Sequence, residues 1–194
     1  LAEEEGANEY QIEASKKEVA KMNSLIGDED RLRQIAKDFI KLYETRVEEN
    51  ATVKGKALFV CATRPIAYKF YKIILDLRPE WGELAYSDEE ITDYEKRLLK
   101  KMPKVKMVMT RNQDDDKEMY ELLGNDADRD EAARQFKNEK SNFKIAIVRD
   151  KWLTGFDAPC LDTIFIDKPI KEHNLIQTIS RVNRTYEGKE KGSA

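Results

Sequence analysis

Four short apolar runs constrain the fold of this chain more than any other feature: Ala57 to Ala62, Val105 to Met109, Phe143 to Val148 and Thr163 to Ile166. Three of them are nearly continuous in apolar residues, which marks strands covered on both faces. The segments 64 to 77, 128 to 140 and 173 to 185 carry helical patterns between or after the runs. Continuous apolar strands alternating with helices predict an α/β fold, a parallel sheet flanked by helices on both faces. In such a sheet the strand C-termini share one edge, and ligands gather there.

A helical lead-in precedes this unit. Residues 31 to 47 place Leu32, Ile35, Ala36, Phe39, Leu42, Tyr43 and Val47 at three- and four-residue spacing, one apolar stripe that must dock on something. Gly27-Asp28-Glu29-Asp30 supplies a break, a cap and acidic groups at the positive end of that helix. Residues 9 to 25 carry a weaker helical pattern that ends near Gly27. The expected organisation is therefore a helical lead-in or linker over 1–50 and an α/β domain over 51–194. Residues 81 to 104 are ambiguous, with a short strand expected near Trp81 to Tyr86 and a charged helix over 88 to 101. Asp114-Asp115-Asp116 reads as a solvated loop in preference to a metal site, and no metal ligand set is expected.

Composition narrows the class. With 194 residues, 40% hydrophobic and 38% charged at net charge −3, the chain is long enough for a real core and unlike disordered or membrane sequences. The N-terminus lacks an initiator Met and the pattern of a signal peptide, and suggests a piece of a longer protein. Cys61 and Cys160, both in apolar surroundings, suit buried thiols in a reducing, cytoplasmic setting. Residues 1–50 hold 13 acidic and 8 basic side chains, a net of −5. The other 144 residues hold 38 − 13 = 25 acidic and 35 − 8 = 27 basic, a net of +2. Tight nucleic-acid binding by this chain alone is disfavoured, because such domains usually carry a strong basic excess.

The chemistry concentrates near the C-terminus. Asp150-Lys151-Trp152-Leu153-Thr154-Gly155-Phe156-Asp157-Ala158-Pro159 follows the third apolar run, and Gln177-Thr178-Ile179-Ser180-Arg181-Val182-Asn183-Arg184 follows the fourth. Gly155 marks a turn beyond a strand end, and Asp157 would be aimed into the crevice there or cap a local turn. Gln177, Arg181 and Arg184 share a helical face, opposite Leu175, Ile176, Ile179 and Val182. That polar face overlooks either solvent or a cleft. Two guanidiniums suit a phosphate, yet the chain has no loop to cradle one. Gly55-Lys56 is followed by Ala57 and preceded by Asn50 where a phosphate loop needs Gly, and no Gly-x-Gly-x-x-Gly occurs.

The pattern Asp-x-x-x-x-Gly-x-Asp-x-Pro followed by Gln-x-x-Ser-Arg-x-x-Arg resembles motifs V and VI of superfamily 2 helicases and translocases. More closely, IVRDKWLTGFDAPC, IDKPIKEHNLIQTISRVNR and MTRNQDDD are similar to the motor (R, restriction) subunit of type I restriction-modification enzymes, over roughly residues 30 to 191. The resemblance implies the second RecA-like domain of an ATP-driven double-stranded DNA translocase, with motif IV at Ala57 to Arg64. ATP and Mg2+ would be held mainly by the first RecA-like domain of the same chain, and modification and specificity subunits would complete the complex. Arg184 would be the arginine finger, Arg181 its companion, and Gln177 the coupling residue. Gly155 and Asp157 would touch the nucleotide or orient the two arginines. Ser180 departs from the Gly of many superfamily members and implies a slightly different helix packing.

The same resemblance implies a DNA track past Thr63, Arg64, Thr110, Arg111 and Asn112, with Thr154 as a further candidate. Arg64 is equally a helix N-terminal residue held by local acids. His173 reads as a helix start and not a metal ligand, and Trp152 as core in preference to a base-stacking platform. Arg149 and Asp150 are placed to pair at a strand end. Two other readings stand beside the leading one: half of a different superfamily 2 helicase, and a non-catalytic α/β interaction module whose arginines serve salt bridges.

Overall fold

The computed structural model describes residues 2–50, 55–150, 152 and 159–168. The helix expected over 173 to 185, and with it His173, lies outside the described residues. Two helices lead in, α1 (Ala2–Ile26) and α2 (Glu29–Glu48). Asp28 caps α2 by accepting the Arg31 N–H at 3.0 Å, with Glu29 and Asp30 in the first turn. These acids complement the positive end of the helix.

Four strands follow: β1 (Lys56–Cys61), β2 (Val105–Met107), β3 (Ile145–Val148) and β4 (Leu161–Asp167). They form one parallel sheet in the order β2-β3-β1-β4. Every residue of β1 and β3 is buried, as expected for strands with side chains packed on both faces.

One face of the sheet carries α2 and α3 (Arg64–Leu77), with α5 (Lys117–Leu123) joining them. Phe59 sits at its centre, stacked on Phe70 at 3.8 Å and on Phe165 at 5.1 Å, with Phe39 of α2 meeting it edge-on at 5.2 Å. The other face carries α6 (Asp126–Lys137), whose Ala132 and Phe136 pack with Leu58, Val60, Ala146 and Ile164. Trp152 joins that second core, 5.0 Å from the Phe136 ring, in the place expected of a core residue. It adopts a left-handed backbone conformation with φ 70°, strained for a bulky side chain.

The lead-in docks through α2. Leu32, Ala36, Phe39 and Tyr43 of the expected stripe are buried, as is Ile40, whereas Leu42 and Val47 are exposed at its margin. Arg46 near the end of α2 pairs with Asp162 at 2.7 Å, and Tyr43 donates to the Gly55 carbonyl at 2.8 Å. The core of the sheet domain therefore includes part of the lead-in.

Residues 81 to 104 differ from expectation. Pro79–Gly82 is a 3₁₀ turn that buries Trp81, and strand pairing is confined to one antiparallel bridge, Ala85 with Met102. The charged helix shrinks to α4 (Asp93–Arg97), started by a Thr92/Glu95 capping box. None of its residues is buried, so no apolar face rewards a longer helix. α6 begins two residues earlier than expected because Asn125 and Asp128 form another capping box, and Gly124 separates it from α5 with φ +68°. No helix among the described residues is long and apolar enough to cross a membrane.

Candidate functional site

A parallel sheet brings its four strand exits to one edge, and the chemistry-bearing side chains gather there in two groups. The first lies beyond β1 and β2. Thr63 is the N-cap of α3, its hydroxyl accepting the Ile66 N–H at 3.3 Å, and Pro65 fits the first turn where an N–H is dispensable. This turn fixes Arg64 at the start of the helix. One Arg64 nitrogen donates to both oxygens of Asp115, at 2.7 and 2.6 Å, and the other donates to the Thr110 carbonyl.

Asp115 also accepts the Asn112 N–H at 2.7 Å. The 114 to 116 run is the expected loop, with Asp114 and Asp116 exposed, but the Asp115 side chain turns inward and is 7% exposed. The acid holding Arg64 is thus 51 positions away, not a local one. Arg111 lies over the Tyr120 ring at 4.3 Å, a cation–π arrangement. Thr63, Arg64, Thr110, Arg111 and Asn112 therefore share one corner of the edge. Arg64 has one nitrogen committed to the Asp115 carboxylate and the other to the Thr110 carbonyl, so a phosphate there would compete with Asp115.

The second group lies beyond β3 and β4. Arg31, in the first turn of α2, grips Asp167 with both nitrogens, at 3.1 and 2.5 Å, and donates to the Ile26 carbonyl at 2.8 Å. The hydrogen bond to Asp167 is the main cause that raises the Arg31 pKa above its ordinary value. Lys168 donates to the Arg149 carbonyl at 2.9 Å and to Asp150 at 2.7 Å. Arg149 and Asp150 also approach each other at 3.5 Å, the pair expected at that strand end.

Gly55-Lys56 lies at the opposite edge, at the start of β1. Gly55 takes φ +63°, and Lys56 is fully buried, donating to the Phe143 carbonyl at 2.5 Å beneath the Phe136 ring. Burial, aided by the charge of Lys144, pushes its pKa down to about 7. A lysine so enclosed cannot reach a phosphate. Cys61 and Cys160 are buried free thiols, both pushed up in pKa by burial. Among the described residues no three His, Cys, Asp or Glu side chains are grouped to hold a metal ion.

The family model of type I restriction enzyme subunit R domain 3 matches residues 53–194. The chain belongs to the type I restriction enzyme R-subunit family. Among curated relatives of this R-subunit chain is the type I restriction enzyme HindI endonuclease subunit of Haemophilus influenzae, 38% identical over 85% of the chain and 14% of the relative. The putative MjaIXP endonuclease subunit of Methanocaldococcus jannaschii is 34% identical over 96% of the chain and 16% of the relative. The chain thus spans less than a fifth of the length of these relatives. Its organisation as a parallel sheet between helices, after a helical lead-in, agrees with the RecA-like fold that the sequence resemblance implied.

Of the expected site residues of this R-subunit domain, Gln177, Arg181, Arg184, Gly155, Asp157 and Thr154 lie outside the described residues. Sequence reasoning missed Asp115, Arg31, Asp167 and Lys168. Adjacent opposite charges at the end of a strand, as at Asp167-Lys168, signal an anchored strand exit. The partner of Asp167 lies 136 positions away, beyond the reach of local pattern.

Proposed function

We propose that this chain is the second RecA-like domain of the ATP-driven motor in a type I restriction enzyme R subunit, moving along double-stranded DNA when paired with a first RecA-like domain. The observation that carries the reading is the division of the sheet into two unlike edges. The exit edge collects Thr63, Arg64, Thr110 and Arg111, while the Lys56 of Gly55-Lys56, a pair that partly mimics a phosphate loop, is buried at the far edge. A domain with strand-exit arginines and no phosphate cradle suits one wall of a shared site.

In this reading ATP is the substrate, and Mg2+, held with it mainly by the first domain, neutralises phosphate charge. Arg184 serves as the arginine finger and Arg181 as its companion. Gln177 couples the nucleotide to the interface, with Gly155 and Asp157 beside them. Thr63, Thr110, Arg111 and Thr154 line the DNA track, and Arg64 joins them if DNA displaces Asp115. Opening and closing of the two domains then drives the step along DNA. Modification and specificity subunits complete the complex.

The test uses the full-length subunit assembled with its modification and specificity subunits. Arg184→Ala is expected to lower DNA-stimulated ATP turnover by about 10³-fold or more, with DNA affinity changed less than about twofold. Unchanged turnover sinks the finger assignment. Hydrolysis by the isolated 194-residue chain, abolished in Arg184→Ala, would refute the shared-site reading.

A further inference from the structure

The contacts at the β4 exit join three segments that are remote in sequence. Asp167, the last residue of β4, is held by the Arg31 fork at the start of α2. Lys168, the next residue, is held by Arg149 and Asp150 just beyond β3. Arg31 also donates to the Ile26 carbonyl, so the corner between α1 and α2 belongs to the same junction. Asp167 is further aligned with Cys61 in the sheet register, the last paired position of β1. From this junction one strand exit leads in sequence toward Gly155 and Asp157, and the other toward Gln177, Arg181 and Arg184.

The other end of the same helix and strand supplies an internal comparison. Arg46 and Asp162 also pair α2 with β4, at 2.7 Å, but at the edge where β4 begins. That pair can hold the helix on the sheet without touching any strand exit. A side chain serving attachment alone would act alike at either end. Arg31 differs because its partner is the residue from which the chain departs.

We propose that Arg31 is a positioning residue of the motor, fixing through Asp167, and alongside the Lys168–Asp150 contact, the directions in which the chain leaves β3 and β4. The lead-in helix is then a working part of the motor half. A guanidinium fork on a carboxylate defines orientation as well as distance, which a single ionic contact does not. Small misplacements of positioned groups are costly in rate because the catalytic geometry is narrow.

This inference rests on the proposed ATPase role of Arg181 and Arg184, and its test separates the two. In the full-length subunit within its complex, Arg31→Ala is expected to lower kcat for ATP about tenfold, with KM and DNA affinity within about twofold. Arg46→Ala is expected to keep kcat within about twofold while lowering the melting temperature. The exchanged pair Arg31→Asp with Asp167→Arg is expected to recover most of the lost kcat. Hydrogen exchange at the amides of 161–167 should quicken in Arg31→Ala and slow again in the exchanged pair. Wild-type kcat in Arg31→Ala overturns the inference, as does an equal loss in Arg31→Ala and Arg46→Ala, which would mark both as attachments. If Arg184→Ala retains turnover, the finger reading fails by itself. If Arg184→Ala is inactive and Arg31→Ala is normal, only the positioning inference fails.

Discussion

Helices α1 and α2 are consecutive and similar in length, at 25 and 20 residues, yet they live in different environments. The buried residues of α2, Leu32, Ala36, Phe39, Ile40 and Tyr43, fall within about 100° of arc at 3.6 residues per turn. In α1, Tyr10, Ile12, Val19, Met22 and Leu25 are scattered over roughly twice that arc, and residues 8 to 25 are exposed. The difference teaches that helix formation and docking are separate achievements. α1 is helical without a docked face, whereas the docking of α2 rests on a stripe and on long-range partners such as Asp162 and Asp167.

The comparison breaks most sharply at Phe39. Phe39→Ala removes a ring that meets Phe59, Phe70 and Phe165, and should cost about 3–5 kcal/mol in denaturant unfolding. Next comes a pH test. Because burial depresses the folded-state pKa of Lys56 to about 7, well below that of a solvated lysine, its contribution is present above the unfolded value and lost as pH falls through about 7. Stability should therefore rise between pH 7 and 10 on the order of 1–3 kcal/mol from this group. Deleting residues 2 to 18 of α1 should leave that rise intact, and Lys56→Met should flatten it.

Smaller effects sharpen the contrast further. Asp28→Ala removes the cap of α2 and should cost about 1 kcal/mol, read from the shift in denaturation midpoint. Tyr10→Ser on α1 should change stability by less than about 0.5 kcal/mol. A larger loss there would mean that α1 is docked in solution after all.

These contrasts also explain what the sequence makes legible. The strand runs and the α2 stripe could be read because burial on a sheet or a helix face leaves a periodic signature. Residues 79 to 104 could not, because their structure is set by remote bonds. Asn142 donates from its backbone to the Tyr86 carbonyl and from its side chain to the Met102 carbonyl. At the site, sequence gave Arg64 its place after a strand but not its partner. Asp115 looked like one member of a solvated acidic run, and only the fold brings it under the Arg64 fork. Asp167 and Arg31 stood in segments with no shared pattern.

The bridge between Ala85 and Met102, with the Lys104 N–H bound to the Trp81 carbonyl, closes a neck at the base of α4. Residues added to a loop closed at its base raise the closure entropy only slowly. Within the excursion Tyr86 and Leu98 are tied back to Asn142 and Gln135, while the exposed side chains of Leu84 and Tyr94 stand clear of the two cores. Extra residues around α4 would thus cost little in closure entropy, and the strand exits would keep their spacing.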